Sequence, residues 1–200
     1  GLGYSQAVLQ NSHGMLVGGV KANLHQISLG RALIDLDDDS VDAGDAISDA
    51  ISDDAVSSTG VGLDLGLIWV SHYYQAGVTF ANINEPEFDG ASVDGSTVPA
   101  SYDISANDTY TMEMQTTVDL AVSTRGKQLA LGMSYDANPV KDAVGDEYQW
   151  AAASLSYYGD SHFLPGIRVG FRQNMAGSEL SYATAGLTLL KRFNLDLAVA

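Results

Sequence analysis

The residues in this chain best equipped for chemistry are its carboxylates, and they cluster. Asp35-Leu36-Asp37-Asp38-Asp39-Ser40 sets acids at alternate positions, as calcium-binding loops do when they wrap oxygen ligands around the ion. Aligned as an EF-hand loop from Asp35, the run has Ser40 where the sharp turn needs glycine and Ala46 where a bidentate Glu belongs. A looser Ca²⁺ site from Asp37, Asp39 and Asp42 stays open. Beside it stands the plainer reading, a hydrated segment at a helix N-terminus, where negative charge suits the helix dipole. Calcium is the one cofactor the sequence suggests.

The four histidines, His13, His25, His72 and His162, are too scattered for an HxH or HxxxH zinc pair. The chain has no cysteine, which removes disulfides, thiolate metal sites and CxxC redox chemistry. A Gly-x-Ser-x-Gly nucleophile turn is absent too, so the expectation is a protein that is not an enzyme.

Arg168 and Arg172 stand four residues apart, which on a strand puts them on one face about 13 Å apart. Two readings follow. They pair with acids such as Glu113, Asp119 or Asp136 across a sheet, or they steer anions along a lumenal wall. Arg168, Arg172, Glu113 and Asp119 are therefore the candidate lumenal charges.

Charge bounds the partners. The 200 residues hold 25 acids and 9 lysines and arginines, for a net charge of -16. No lysine or arginine lies between Arg31 and Arg125, although 18 of the 25 acids do. Such a surface repels phosphate backbones, so nucleic acid is excluded as a partner. The opening Gly1-Leu2-Gly3-Tyr4 lacks the basic and apolar regions of a signal peptide, which reads as a cytosolic chain or as a mature or trimmed one.

The elements that position these groups are strands. Val61, Leu63, Leu65, Leu67 and Trp69 alternate with Gly62, Asp64 and Gly66, so one face is apolar and the other small or polar. Ile167, Val169 and Phe171 alternate with Arg168, Gly170 and Arg172 in the same way, and Tyr148, Trp150, Ala152 and Tyr158 read as another apolar face. Between Gly14 and Leu36, Leu16, Val20, Ala22 and Leu24 share one parity. Near Ile27 the apolar parity switches, which predicts a bulge or bend. Further strands are expected at about 60–70, 73–83, 109–123, 127–136, 147–158, 166–173, 181–190 and 193–200. From Asp35 to Thr59, Ala43, Ala46, Ile47, Ala50 and Ile51 recur at helical spacing with acids between them, predicting one short acidic amphipathic helix in a loop. A polar loop of about twenty residues follows Glu85. The whole reads as a single all-β domain over 1–200, an antiparallel meander of about nine strands.

Two architectures use such strands. A soluble sandwich buries the apolar face, so Leu63, Leu65, Leu67 and Trp69 would pack against a second sheet. An outer-membrane barrel shows that face to lipid and keeps polar residues inside. Long acidic loops fit the barrel, as do Tyr73-Tyr74 and Tyr157-Tyr158 at strand ends, where an aromatic girdle would lie.

Particular runs carry a resemblance. Gly60-Val-Gly-Leu-Asp-Leu-Gly-Leu-Ile-Trp69 and Gly77-Val-Thr-Phe-Ala-Asn-Ile-Asn-Glu-Pro-Glu-Phe-Asp-Gly90 look like paired strands of FadL-like and PorV-like outer-membrane proteins. Pro165 through Leu189, continued by Phe193-Asn-Leu-Asp-Leu-Ala198, resembles the conjugal transfer protein TraF family. The resemblance implies the C-terminal portion of a longer barrel chain in the outer membrane of a Gram-negative bacterium. Its partners would be membrane lipid and other envelope proteins or a second copy, and its role structural or transport-related. The competing class is a soluble secreted or periplasmic β-sandwich for binding or adhesion, with a Ca-dependent version among its forms.

Overall fold

A computed structural model describes residues 1–30, 44, 48, 55–90 and 109–199. The strands are β1 (Leu2–Asn11), β2 (Gly14–Leu29), β3 (Val56–Val70), β4 (Tyr74–Ala81), β5 (Glu87–Asp89), β6 (Thr109–Thr111) and β7 (Gln115–Ser123). They continue with β8 (Leu129–Asp136), β9 (Val140–Lys141), β10 (Glu147–Tyr148), β11 (Trp150–Tyr158), β12 (Gly166–Asn174), β13 (Ser181–Leu189) and β14 (Phe193–Val199). Ten of them form one sheet in the order β1-β2-β3-β4-β7-β8-β11-β12-β13-β14, every neighbour antiparallel. The pairs β5–β6 and β9–β10 are separate small sheets. The all-β antiparallel meander is therefore present, with ten strands in its main sheet and its edges β1 and β14 unpaired to one another.

Two expectations are corrected. The register of β2 on β3 runs unbroken from Met15↔Val70 to Leu29↔Val56, so there is no bulge near Ile27. Apolar side chains change face there because the inner face gains an apolar cover: Phe88 of β5 lies against Gly60 and edge-on to His25. The irregularity sits instead in β1, between Ala7 and Leu9, and it scrambled the alternation of a strand the sequence did not reveal. The expected strands 109–123 and 147–158 are each interrupted, at 112–114 and at Gln149, where the chain leaves a small hairpin and enters the main sheet. The expected acidic helix lies outside the described residues, save that Gly44 and Ser48 have helical backbone.

The two ends of the sheet differ. One is closed by the short connections 12–13, 71–73, 124–128, 159–165 and 190–192; the other carries 30–55, 82–114, 137–149 and 175–180. The turn at Leu190-Lys191 is tight, with both residues at positive φ (51° and 56°) and Arg192 N–H donating to Leu189 C=O at 3.0 Å.

The faces differ more. Leu63, Leu65 and Leu67 stand 36–47% exposed, and among the described residues no second sheet covers them. Among the described residues the large buried apolar side chains are Phe88 and Val140, both in the small hairpins, with Pro86 and Pro165 buried in connections. So the sheet has no apolar core of the sandwich kind among the described residues. It curls toward its polar face: Ile68 on β3 and Thr184 on β13, six strand spacings or about 29 Å apart on a flat sheet, line one cleft of about 420 Å³.

Candidate functional site on the inner face

Alternation dictates the inner face. The charged residues of the ten-stranded sheet are Lys21, Asp64, Asp119, Asp136, Arg168, Arg172 and Asp196. The registers place all of them on this one face, among Gly, Ala, Ser and Thr. The opposite face carries Leu, Val, Ile, Met, Phe and Tyr and no charge.

Towards the long loops most inner polar groups are hydrogen-bonded, although the buried His25 Nε2 has no partner among the described residues. Asp64 accepts from Asn23 Nδ2 at 2.6 Å and Asn82 N–H at 3.0 Å, with Lys21 Nζ at 4.0 Å. The buried Asp136 carboxylate accepts from Gln115 Nε2, Thr117 Oγ1 and the Trp150 N–H at 2.8–3.0 Å. Asn174, 2% exposed, accepts from Gln149 N–H at 2.7 Å and donates to Glu147 and Ser178 carbonyls. Each fixes the first residues of the loop beside it, because a short side chain at the strand's end satisfies backbone groups the ladder no longer reaches.

Beyond them the loops fold together. Phe88 stacks on Tyr110 with centroids 6.2 Å apart, and Tyr110 Oη donates to Lys141 C=O at 3.3 Å, joining β5–β6 to the β9–β10 loop. Burial, reinforced by nearby negative groups, raises the phenol pKa of Tyr110 and of Tyr148 above the ordinary 10.0.

Towards the short turns, Arg168 grips Asp196 with Nε–Oδ1 and Nη2–Oδ2 bonds of 2.7 Å each and donates to Thr188 from Nη1. The pair crosses β13 at Gly186, where a Cβ would lie 2.6 Å from Arg168 Nε.

The central rows are different. One row reads Gly77, Asp119, Ser134, Ala152, Arg172 and Tyr182 across six strands. Arg172 lays its guanidinium over Trp150, 3.7 Å from the ring centroid, and Trp150 in turn lies 5.8 Å from Tyr182. Neither Arg172 nor Asp119 has an ion pair or hydrogen bond among the described residues.

The predicted site residues are thus only partly assembled. Arg168, Arg172 and Asp119 share the inner face, but Arg168 takes Asp196, which sequence reasoning missed, rather than Glu113, Asp119 or Asp136. Glu113 lies outside the main sheet and accepts the Lys141 N–H at 3.0 Å. Trp150 and Ala152, read as an apolar face, point inward; on β11 the outward residues are Ala151, Ala153, Leu155 and Tyr157. Asp37, Asp39 and Asp42 lie outside the described residues. Among those described, no group of three or more His, Asp or Glu is placed to hold a metal.

Fold and face define an antiparallel β-meander whose charges all lie on one side. The chain belongs to the family described as the F plasmid transfer operon TraF protein (TraF_2), whose model matches residues 1–136. The match takes in Gly60–Trp69 and Gly77–Gly90 and ends before Pro165. No curated protein and no solved structure matches the chain.

Proposed function

We propose that this chain forms wall of an outer-membrane β-barrel in a Gram-negative envelope, with a structural or transport role in conjugal transfer and no catalytic step. FadL-like and PorV-like outer-membrane proteins are the architecture it would share. The observation that carries the reading is the segregation of charge: all the sheet's charged side chains lie on its inner face, leaving a continuous exposed apolar face outside. In water that face is an aggregation liability, whereas against acyl chains it is the stable arrangement. From Val61 to Trp69 it runs about 26 Å along β3, close to the apolar band of such barrels.

Three features support the same orientation. Connections of 2–7 residues at one end, and at the other three long loops besides 175–180, match periplasmic and outer ends. Aromatics gather at the short-turn end, where Trp69 Nε1 donates to Tyr74 Oη at 3.2 Å and Arg125 Nε to Tyr73 Oη at 3.1 Å. Most of the acids lie in the long connections, while Arg125, Lys127, Lys191 and Arg192 sit in the short turns.

Membrane lipid is the partner proposed for the apolar face, and envelope proteins or a second copy are partners proposed for the edges. Cell fractionation of the full-length gene product, with surface proteolysis across 31–54, tests the reading. Recovery in outer membrane with that segment cleaved is expected; a soluble, protease-resistant product overturns it.

A further inference from the structure

Polar groups on a sheet face normally find one another, and on this sheet the charged ones do so everywhere except in the middle. Lys21, Asp64, Asp136, Arg168 and Asp196 are all paired or hydrogen-bonded. Asp119 and Arg172 are not, and they line one cleft of about 420 Å³ with Gln75, Ser134, Ser154 and Thr184. None of these six side chains makes a hydrogen bond among the described residues. Glycines keep the floor open: a Cβ on Gly132 would lie 2.9 Å from Ser154 Oγ, and one on Gly170 would lie 2.7 Å from Thr184 Oγ1.

The two charges cannot satisfy each other. Asp119 on β7 and Arg172 on β12 occupy the same row with β8 and β11 between them, three strand spacings or about 14 Å along the sheet. Trp150 covers a face of the guanidinium with its ring, and the N–H groups, which lie in the guanidinium plane and have no acceptor among the described residues, are able to take a carboxylate. An exposed Asp119 carboxylate and a guanidinium held by Trp150 thus line one cleft floored by small residues and hydroxyls.

We infer that this central belt is a binding site for a short zwitterionic solute, its carboxylate on Arg172 and its ammonium on Asp119. Curling of the sheet brings inward-pointing side chains closer than their backbones, so the matching solute spans less than the 14 Å arc. Three extended residues reach about 10 Å, and an unblocked tripeptide is therefore the fitting class. A free amino acid reaches one charge at a time. The inference rests on reading the inner face as a water-filled lumen.

Trp150 is the reporter for the test. The chain has 2 tryptophans, so Trp69→Phe leaves Trp150 as the sole indole beside the site. The full chain is folded in detergent, with heat-modifiable mobility as the control for folding, and titrated with triglycine, glycine, N-acetyl-triglycine and triglycine amide. Triglycine should give a saturable change in Trp150 emission, and glycine should bind at least about tenfold more weakly, since one of two charged contacts is lost. Arg172→Gln and Asp119→Asn should each weaken triglycine about tenfold, with Arg172→Lys recovering part of the loss. Blocking the ammonium should abolish the effect of Asp119→Asn and spare that of Arg172→Gln. No saturable signal from folded protein, or binding indifferent to both substitutions, overturns the inference. Fractionation reports on the barrel reading without involving Trp150, so a membrane-located chain that ignores triglycine refutes this site alone.

Discussion

Arg168 on β12 reaches over Gly186 on β13 to hold Asp196 on β14, two strands away, with paired 2.7 Å hydrogen bonds. The glycine is what allows it, because any side chain there would occupy the path of the pair. Replacing glycine within a strand ordinarily helps. Here Gly186→Ala should lower the urea midpoint of unfolding, and by more than Asp196→Asn, which removes charge but leaves the path clear. An unchanged or raised midpoint for Gly186→Ala would refute the bridging role.

Leu67 faces outward and Thr79, which pairs with Gly66 one rung away, faces inward. Leu67→Arg should impair folding into phospholipid vesicles by about 2–4 kcal/mol, the usual cost of a charge on the lipid side. Thr79→Arg should be tolerated. Equal sensitivity at the two positions, measured by heat-modifiable mobility after vesicle folding, contradicts the assignment of faces.

Phe88 is 1% exposed, stacks on Tyr110 across the β5–β6 hairpin and holds that hairpin down against Gly60 and His25. Removing the ring takes away the hairpin's anchor without touching the ladder of the main sheet. Phe88→Ala should therefore speed proteolysis within 82–114 while far-ultraviolet circular dichroism stays that of a β-sheet, as expected of a local unfolding unit.

Asp136 serves two neighbouring strands at once, since its carboxylate accepts from Gln115 and Thr117 on β7 and from the Trp150 N–H that opens β11. Asp136→Ala leaves those donors without their acceptor in a place water barely reaches. A loss of about 2–3 kcal/mol is expected, and Asp136→Asn, which keeps acceptor capacity, should lose less. Denaturant unfolding of the two variants measures the difference.

Tyr110 and Tyr148 hold their phenol protons more tightly in the fold than the ordinary 10.0 because burial disfavours the phenolate. The folded state then binds more protons than the unfolded one above that value, so this stabilisation is complete below about pH 10 and is lost as pH rises through the folded values. Tyrosinate absorbance should show both phenols titrating late. Tyr110→Phe and Tyr148→Phe should each remove one.

Several features were legible in the residues alone. The two-residue period of a strand fixes which side chains share a face, so Leu63, Leu65 and Leu67 oppose Asp64, and Arg168 and Arg172 share a side, wherever the strand is placed. The all-β meander follows from the same period and from the turn residues between segments. The period failed where both parities looked alike: Trp150 and Ala152 alternate with Ala151 and Ala153, and nothing in that run separates inside from outside. It failed also in β1, where the irregularity near Val8 breaks the pattern.

What the tertiary structure decided is who meets whom. Asp196 lies 28 residues from Arg168 and becomes its partner only because β12, β13 and β14 are consecutive and in register. Asp119 and Arg172, which sequence reasoning offered to each other, share a row but are held apart by β8 and β11. Side-chain direction is a local property of the backbone. Pairing depends on strand order and register, which are set by every hydrogen bond along the ladder and by no single stretch of sequence.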